Sequence, residues 1–416
     1  MRLMSRAPRS PRRDSGPSAM TLLLAFGGLL GFLAAGYGVL FTITDDYKNE
    51  YGIDAGAIGV VIGIGFIAGF LAQVLIAPLA DRGHARTVVL AGVAINAFGL
   101  LLMALGTSLV PILIGRFISG LGIGAASPAI RRIVILADPD NLGQNLGRLL
   151  AIEVFGFAMG PAISAVLVGA FGIPAPFIVV GACTLVLVPF VARVHVTETV
   201  ESDRRRLAFD LLRIRPFAGA VVLGGAVFVM IGAFDALLAL VHDDLGTAEW
   251  IANVGITLFA LPLIFLGPPG GKLAQTFGPF RLATIGLLGG AMFMFLYGVL
   301  PTGGLIFAVA MVHALSDGLT ISSTGVAVGM VIPEERQAGA QGVLGAGQAM
   351  SAGVMAIATG MVYEHLGRTA AYTMCAVVMV AMVALGAWLA RPAWTLTRPT
   401  GVPVATTPQP DPFTPG

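Results

Sequence analysis

Five ionisable side chains stand inside long apolar runs of the sequence, where charge is costly. Glu153 lies within GRLLAIEVFGFAMGPA (147–162), and His313 and Asp317 lie within VHALSDGLTISST (312–324). Arg116 and Asp235 occupy similar places in two further apolar runs. Ionisable residues within membrane helices are rare, and by default they mark substrate or proton pathways. These five side chains are therefore the candidates for binding or relaying protons.

A polar stripe runs through one of these apolar segments. His313, Asp317, Thr320 and Thr324 follow one another at helical spacing, so we expect them on one face of a single helix. His313 and Asp317 are one turn apart and close enough to interact, and such a pair can titrate near neutral pH. The alternative is a static hydrogen-bonded pair that holds helices together. We expect Thr320, Thr324 and Tyr37 to line the substrate cavity.

The other three ionisable residues leave alternatives open. Glu153 shares a helix face with Gly156 and Gly160, so its carboxylate is predicted to face a helix interface, where it binds a proton or substrate. Arg116 either takes part in proton transfer, by tuning or relaying it, or extends its charged end to the nearby membrane interface. Asp235, about two turns from the end of its run, either lines a cavity or is a rim acid.

The composition requires a lipid environment. Hydrophobic residues make up 56% of the 416-residue chain and charged residues 11%, whereas soluble domains carry about 25% charged residues. Runs of about 20 apolar residues span a bilayer, and they are too long for the strands of a membrane barrel. The predicted class is an all-α membrane protein with twelve spans, at about 19–43, 56–79, 87–107, 109–135, 146–170, 174–194, 217–241, 250–271, 282–301, 304–332, 338–362 and 370–390.

The basic residues predict the orientation. Of the 24 lysines and arginines, all but Lys48, Arg116 and Arg368 fall on one side if both termini are cytoplasmic, as the positive-inside rule expects in a plasma membrane. Residues 1–18 are predicted to be a disordered cytoplasmic segment, with a targeting signal as the alternative. The proline-rich residues 392–416 are predicted to be a disordered cytoplasmic tail. The basic loop 195–216 either lies on the membrane surface or is a solvated linker.

The chain divides into two similar halves. Six spans in residues 19–194 and six in 217–391 flank the long loop. APLADRGHARTVVLAG (77–92) follows span two, and GKLAQTFGPFRLATIG (271–286) follows span eight. Aligning Asp81 with Gln275 in these loops repeats the pattern, and internal repeats are typical of secondary transporters.

With these motifs in place, the sequence resembles the major facilitator superfamily over residues 19–390. The family's loop motif matches Asp81, Arg82 and Arg86, and its second copy keeps Gly271 and Gly278. Arg116 and Gly120 match the motif of span four. The family's antiporter motif in span five fits Gly147, Gly156, Gly160 and Pro161.

The resemblance implies a proton-driven transporter that exports small or amphipathic compounds by antiport, with the loop motif locking the two halves together. A proton symporter that imports a metabolite is the alternative, and a membrane-embedded enzyme or sensor is a remote one. We expect no cofactor, no metal and no nucleic-acid partner, because the sequence shows neither a phosphate-binding loop nor metal-ligand spacing. The expected working unit is a monomer in the lipid bilayer.

Overall fold

The structure is a computed structural model that describes residues 17–41, 43–53, 55–196 and 207–399. The described residues form helices and no strand, and the expectations for residues 1–16, 197–206 and 400–416 lie outside them. The α-helices are α1 (Ala19–Gly38), α2 (Thr44–Tyr51), α3 (Ala55–Leu75), α4 (Ala85–Leu105), α5 (Leu109–Ala137), α6 (Leu142–Phe171), α7 (Pro174–Val191), α8 (Arg215–Asp244), α9 (Glu249–Phe277), α10 (Pro279–Val299), α11 (Gly303–Thr320), α12 (Ser323–Val331) and α13 (Gln337–Leu389).

Ten stretches of the described residues are long and apolar enough to cross a membrane. One of them, Glu334–Leu389, has 56 residues, and Gly367 within it has a φ of 80°, which ends one helix and begins the next. α9 adds a further apolar helix of 29 residues. The chain is therefore an all-α, multi-pass membrane protein, and its helices fit the expected twelve spans.

The helices are apolar on two faces because one face packs against the protein interior and the other contacts lipid. One face packs in the protein interior, where Phe26, Leu29 and Leu33 are fully buried. The opposite face meets lipid, and side chains such as Val166 and Phe265 are more than 70% exposed there. A helix that is apolar all round is typical of a membrane span.

Each half of the chain has its own hydrophobic core. One core is built entirely from residues between 208 and 394, and another entirely from residues between 35 and 180. A third core belongs mainly to the first half but includes Ala274, Val326 and Ala338. Two of the three cores thus lie within one half each, and the third contains residues of both.

Span ten differs from its prediction as one continuous helix. α11 ends at Thr320 and α12 begins at Ser323, and the two residues between them keep right-handed helical backbone angles. The interruption is therefore local, and Thr324 still lines the same small space as Asp317 and Thr320. The Thr320 hydroxyl donates to the Ser316 carbonyl at 3.0 Å. Hydroxyl side chains compete with the helical backbone for hydrogen bonds, and four of the residues 320–324 carry one.

The chain beyond the last span is more ordered than predicted. Residues 392–399, expected to be disordered, begin within a short 3-10 helix, Arg391–Ala393. The Arg398 backbone N–H donates to the Gln275 carbonyl at 2.9 Å, and its guanidinium donates to the Pro139 carbonyl at 3.4 Å. Hydrogen bonds to both halves hold this segment in place.

Small residues let α6 lie directly against α1. A Cβ added to Gly160 would lie 2.6 Å from the Ala35 carbonyl oxygen, and one added to Gly156 would collide with the backbone of Gly31. The Ser164 hydroxyl donates to the Val39 carbonyl at 3.2 Å. This packing requires glycine where the two backbones touch.

We predict that Gly156→Leu destabilises the protein, because the added side chain has no space between α6 and α1. Overpacking of this kind costs about 1–3 kcal/mol. Gly169→Leu on the same helix is the matched control, since nothing lies within 4 Å of its Cβ position. Thermal melting in detergent should show a lower Tm for Gly156→Leu alone; equal Tm values for the two variants would contradict the prediction.

Candidate functional site

The two ends of the helical bundle differ in charge. α1 begins and α13 ends at the same end, where Arg82, Arg86 and Arg336 also lie. We call this end the basic face and the other end the opposite face.

Asp81 joins the two halves at the basic face. Its carboxylate accepts hydrogen bonds from the backbone N–H groups of Ala338 at 2.9 Å and Gly339 at 2.7 Å, in the first turn of α13. The buried Arg132 guanidinium donates to the same carboxylate at 2.9 Å. A carboxylate at a helix N-terminus satisfies free N–H groups and opposes the helix dipole. The sequence-predicted residue thus lies in a charged contact between halves.

Gln275 makes the corresponding contact from the second half. Its amide oxygen accepts from the Gly143 N–H at 2.7 Å in the first turn of α6, and its amide nitrogen donates to the Asp140 carbonyl at 2.7 Å. The two loop motifs therefore cap equivalent helices in opposite halves. The second copy does so with a neutral amide in place of the carboxylate.

Glycines complete the closure of the basic face. Gly143 and Gly147 of α6 lie directly against the backbone of Gly271 and Gly267 of α9. Leu142 packs on Gly329 of α12. Together with the Asp81 and Gln275 contacts, these pairs form what we call the basic-face gate. The gate is closed in this structure.

A cavity of about 460 Å³ lies between the halves. This volume is in the range of sites for drug-sized ligands. Aromatic rings from both halves form part of its wall, and the polar and charged side chains beside them come from α3, α5, α6, α11, α12 and α13. The lining includes Tyr37, Phe66, Gln73, Arg131, Glu153, Phe157, Phe228, Phe234, Phe259, His313, Asp317, Ser322, Thr324, Gln341 and Gln348.

Glu153 is paired in the wall of this cavity. Arg131 Nη2 lies 2.9 Å from Glu153 Oε2, and the two side chains are 23% and 28% exposed. The sequence analysis missed Arg131, because it is the first of two adjacent basic residues at the inner end of span four. Its position inside the apolar run 109–135 was the available signal. The pair can accept a charged substrate group on either member.

His313 and Asp317 line the cavity from the second half. His313 Nε2 lies 3.5 Å from Asp317 Oδ2, and both side chains are buried. The Tyr297 hydroxyl shares a hydrogen bond of 2.9 Å with His313 Nδ1, and Phe293 stacks on the imidazole ring at 4.6 Å. Tyr297, which sequence reasoning missed, therefore fixes the ring with Nε2 towards the carboxylate.

Arg116 is fully buried beside the cavity. Its guanidinium carbon lies 3.9 Å from the centre of the Tyr37 ring, and none of its three side-chain nitrogens has a hydrogen-bond partner among the described residues. The Gly65 backbone leaves the space that the guanidinium fills. The cation–π contact supplies part of the stabilisation that a buried charge requires.

The remaining predicted residues fall into four groups. Thr320 and Thr324, with Asp317, line a second, water-sized space of about 10 Å³ beside the cavity. Gly120 packs against Gly65 of α3, and Gly278 ends α9 with a φ of 113°. Asp235 lies on α8, but its side chain is outside the described residues. Pro161 lies inside α6, and Arg82 and Arg86 flank the Asp81 loop.

The chain matches the family model of the Major Facilitator Superfamily over residues 24–254 and 222–415. It belongs to this superfamily. The fold agrees: the structure of the human organic anion transporter MFSD10 (TETRAN) superposes with a TM-score of 0.73 at 15% identity, over 89% of this chain and all of that one. The chain is thus a member of a superfamily of multi-pass membrane transporters.

Two curated relatives share low sequence identity with this chain. The MFS-type transporter SLC18B1 of Rattus norvegicus is 29% identical over 106 residues, which span 26% of this chain and 23% of that protein. The class D tetracycline resistance protein of Salmonella ordonez is 27% identical over 285 residues, 65% of this chain and 68% of the relative. The matched region thus spans about a quarter of the rat protein.

We predict that Asp81→Ala opens the basic-face gate. The change leaves the N-terminus of α13 uncapped and removes the carboxylate that faces the buried Arg132, and breaking a buried ion pair costs about 3–5 kcal/mol. The measurement is maleimide labelling of Leu142→Cys in a background without Cys183 and Cys375, with an expected gain in rate of about tenfold or more. The exposed Glu334→Ala is the control; equal rates for the two backgrounds would contradict the prediction.

Proposed function

We propose that this transporter exports small, amphipathic compounds in exchange for protons. The observation that carries the proposal is one cavity, closed at the basic face, whose wall contains the carboxylates Glu153 and Asp317. The similarity to a tetracycline resistance protein and the glycine packing of α6 support export. Asp317 with His313, and Glu153 with Arg131, are the proposed proton carriers, and Arg116 and Asp235 are proposed to tune them.

The proposed setting is a plasma membrane with the basic face towards the cytoplasm. The positive-inside rule supports this orientation, and both termini are then cytoplasmic. The two rocking bodies are residues 19–194 and 217–391, joined by the linker 195–216, within one functional monomer. In this orientation, the closed basic-face gate separates the cavity from the cytoplasm.

Coupling follows from the cost of charge in the cavity. An ionised carboxylate loses solvation when the cavity closes around it, whereas a protonated one loses much less. Proton binding therefore changes the relative free energies of the two states. Substrate that fills the same cavity excludes water and competes for the same groups.

The charged pair favours one second candidate, proton symport of an acidic metabolite. If a substrate carboxylate binds Arg131, Glu153 loses its partner and gains a proton, so the anion and the proton bind cooperatively. If a substrate cation binds Glu153, it competes with the proton, which gives antiport. The sign of the substrate charge thus determines the direction of coupling at this site.

We predict that proton flow opposes substrate flow. Purified protein in vesicles with an internal pH dye and an inside-acidic gradient should take up tetracycline while the interior becomes more alkaline. Benzoate under the same gradient tests the acidic substrate, and vesicles without protein provide the baseline. If benzoate moves in the same direction as protons and tetracycline uptake releases no protons, the protein is a symporter and the proposal of export by antiport is wrong.

We predict that Asp317→Asn abolishes proton-coupled transport and leaves the protein folded, because the amide is of similar size and cannot gain or lose the proton. The expected loss in coupled flux is at least about tenfold. Asp244→Asn is the matched control: Asp244 accepts from the Tyr363 hydroxyl near the opposite face and lies outside the cavity lining. Coupled flux that survives in Asp317→Asn would remove this carboxylate from the mechanism.

A further inference from the structure

The segment between the halves has two unlike sides. Residues Ala208–Arg213 form a short 3-10 helix, in which positions three apart share a side. Ala208 and Leu211 are buried in the core of the second half. Phe209 and Leu212 lie on the other side and are 44% and 40% exposed, and Leu207 beside them is 41% exposed. An apolar strip on a polar linker indicates contact with an apolar environment.

This strip lies at the level of the membrane interface. Arg215 begins α8, and its guanidinium carbon lies 4.8 Å from the centre of the Trp388 ring at the end of α13. Tryptophan at a helix end marks the interface between acyl chains and headgroups. The 3-10 helix ends at Arg213, and Ile214 joins it to Arg215 in an extended conformation, so Leu212 lies three residues from the arginine that contacts Trp388.

Arginines are concentrated next to the strip, after the acidic residues Glu198, Glu201 and Asp203 earlier in the linker. Arg213 and Arg215 are exposed, and Arg204, Arg205 and Arg206 precede the segment in sequence. Asp210 is neutralised by a two-bond ion pair with Arg336, with N–O distances of 2.6 and 2.8 Å. Clusters of basic residues next to a membrane span bind anionic lipid, and each contributes about a fivefold gain in affinity.

The buried side of the segment contacts the basic-face gate. Ala208 packs so closely on Gly339 that a Cβ there would lie 2.9 Å from the Ala208 Cβ. Gly339 is one of the two residues that Asp81 caps. The Asp210–Arg336 ion pair ties the segment to the turn before α13. A ligand that fixes the segment therefore also fixes the N-terminus of α13.

We propose that residues 207–215 bind the anionic lipid surface, and that bound lipid holds the basic-face gate closed. Leu207, Phe209 and Leu212 insert between acyl chains, and Arg213 and Arg215 bind the phosphate groups. Lipid charge then adjusts the equilibrium between the two states without entering the cavity. This inference does not depend on the substrate or on proton coupling.

The first experiment tests contact with lipid. Phe209→Trp is made in a chain whose three tryptophans are replaced by phenylalanine, which keeps an aromatic face for Arg215. Fluorescence is measured in phosphatidylcholine vesicles that contain brominated phosphatidylglycerol or, at the same fraction, brominated phosphatidylcholine. We expect at least about twofold stronger quenching by the anionic lipid. Equal quenching by both lipids, or none, overturns the assignment.

The second experiment tests the link to the gate. Maleimide labelling of Leu142→Cys, again without Cys183 and Cys375, should be at least about threefold slower with phosphatidylglycerol than without it. Asp210→Asn, or Arg213→Gln with Arg215→Gln, should remove this lipid effect, whereas Arg391→Gln, an exposed arginine on the same face, should retain it. Size-exclusion profiles confirm folding of each variant.

Two results would overturn the link. A labelling rate that does not respond to phosphatidylglycerol shows that lipid does not hold the gate. A lipid effect that survives both Asp210→Asn and the double arginine variant shows that this segment does not transmit it. Neither measurement involves transport, so failure here is distinguishable from failure of the proposed function.

Discussion

The contact of Asp81 with the first turn of α13 determines how the two halves sit. One carboxylate satisfies two backbone N–H groups of the opposite half and pairs with a buried guanidinium of its own half. The contact is strong because it is dry and charged, and it is reversible because each group can return to water when the halves separate. The neighbouring glycine contacts require the same approach of backbones, so they form or break together with it.

The cavity is the consequence of closing the bundle at one end. With the basic-face gate shut, charged side chains from the two halves remain between aromatic walls. Glu153 is paired with Arg131, and Arg116 lies over the Tyr37 ring, whereas His313 Nε2 lies 3.5 Å from Asp317 and has no hydrogen-bond partner among the described residues. These contacts belong to the state of the bundle in which the basic-face gate is closed. A substrate or proton that alters one of them changes the energy of the state, which is how a transporter couples two movements.

The sequence predicted the features that follow from hydropathy and from spacing along one helix. The spans, the glycine face of α6 and the pairing of His313 with Asp317 are of this kind, because they depend on helical geometry alone. Arg131, Tyr297 and Asp210 were missed because their partners lie 22, 16 and 126 residues away. The break in span ten was missed because no proline marks it. Hydroxyl competition for the backbone is too common in membrane helices to predict a break from sequence.

Paired spin-label distances test most directly whether the Asp81 contact determines the state of the bundle. One pair, Thr87 with Thr276, reports on the basic face, and another, Ser108 with Thr302, reports on the opposite face; all four residues are exposed. Neutralising Asp81 should lengthen the first distance and shorten the second in the same molecules. Two distances that stay fixed, or that change independently of each other, would contradict a single switch at this carboxylate.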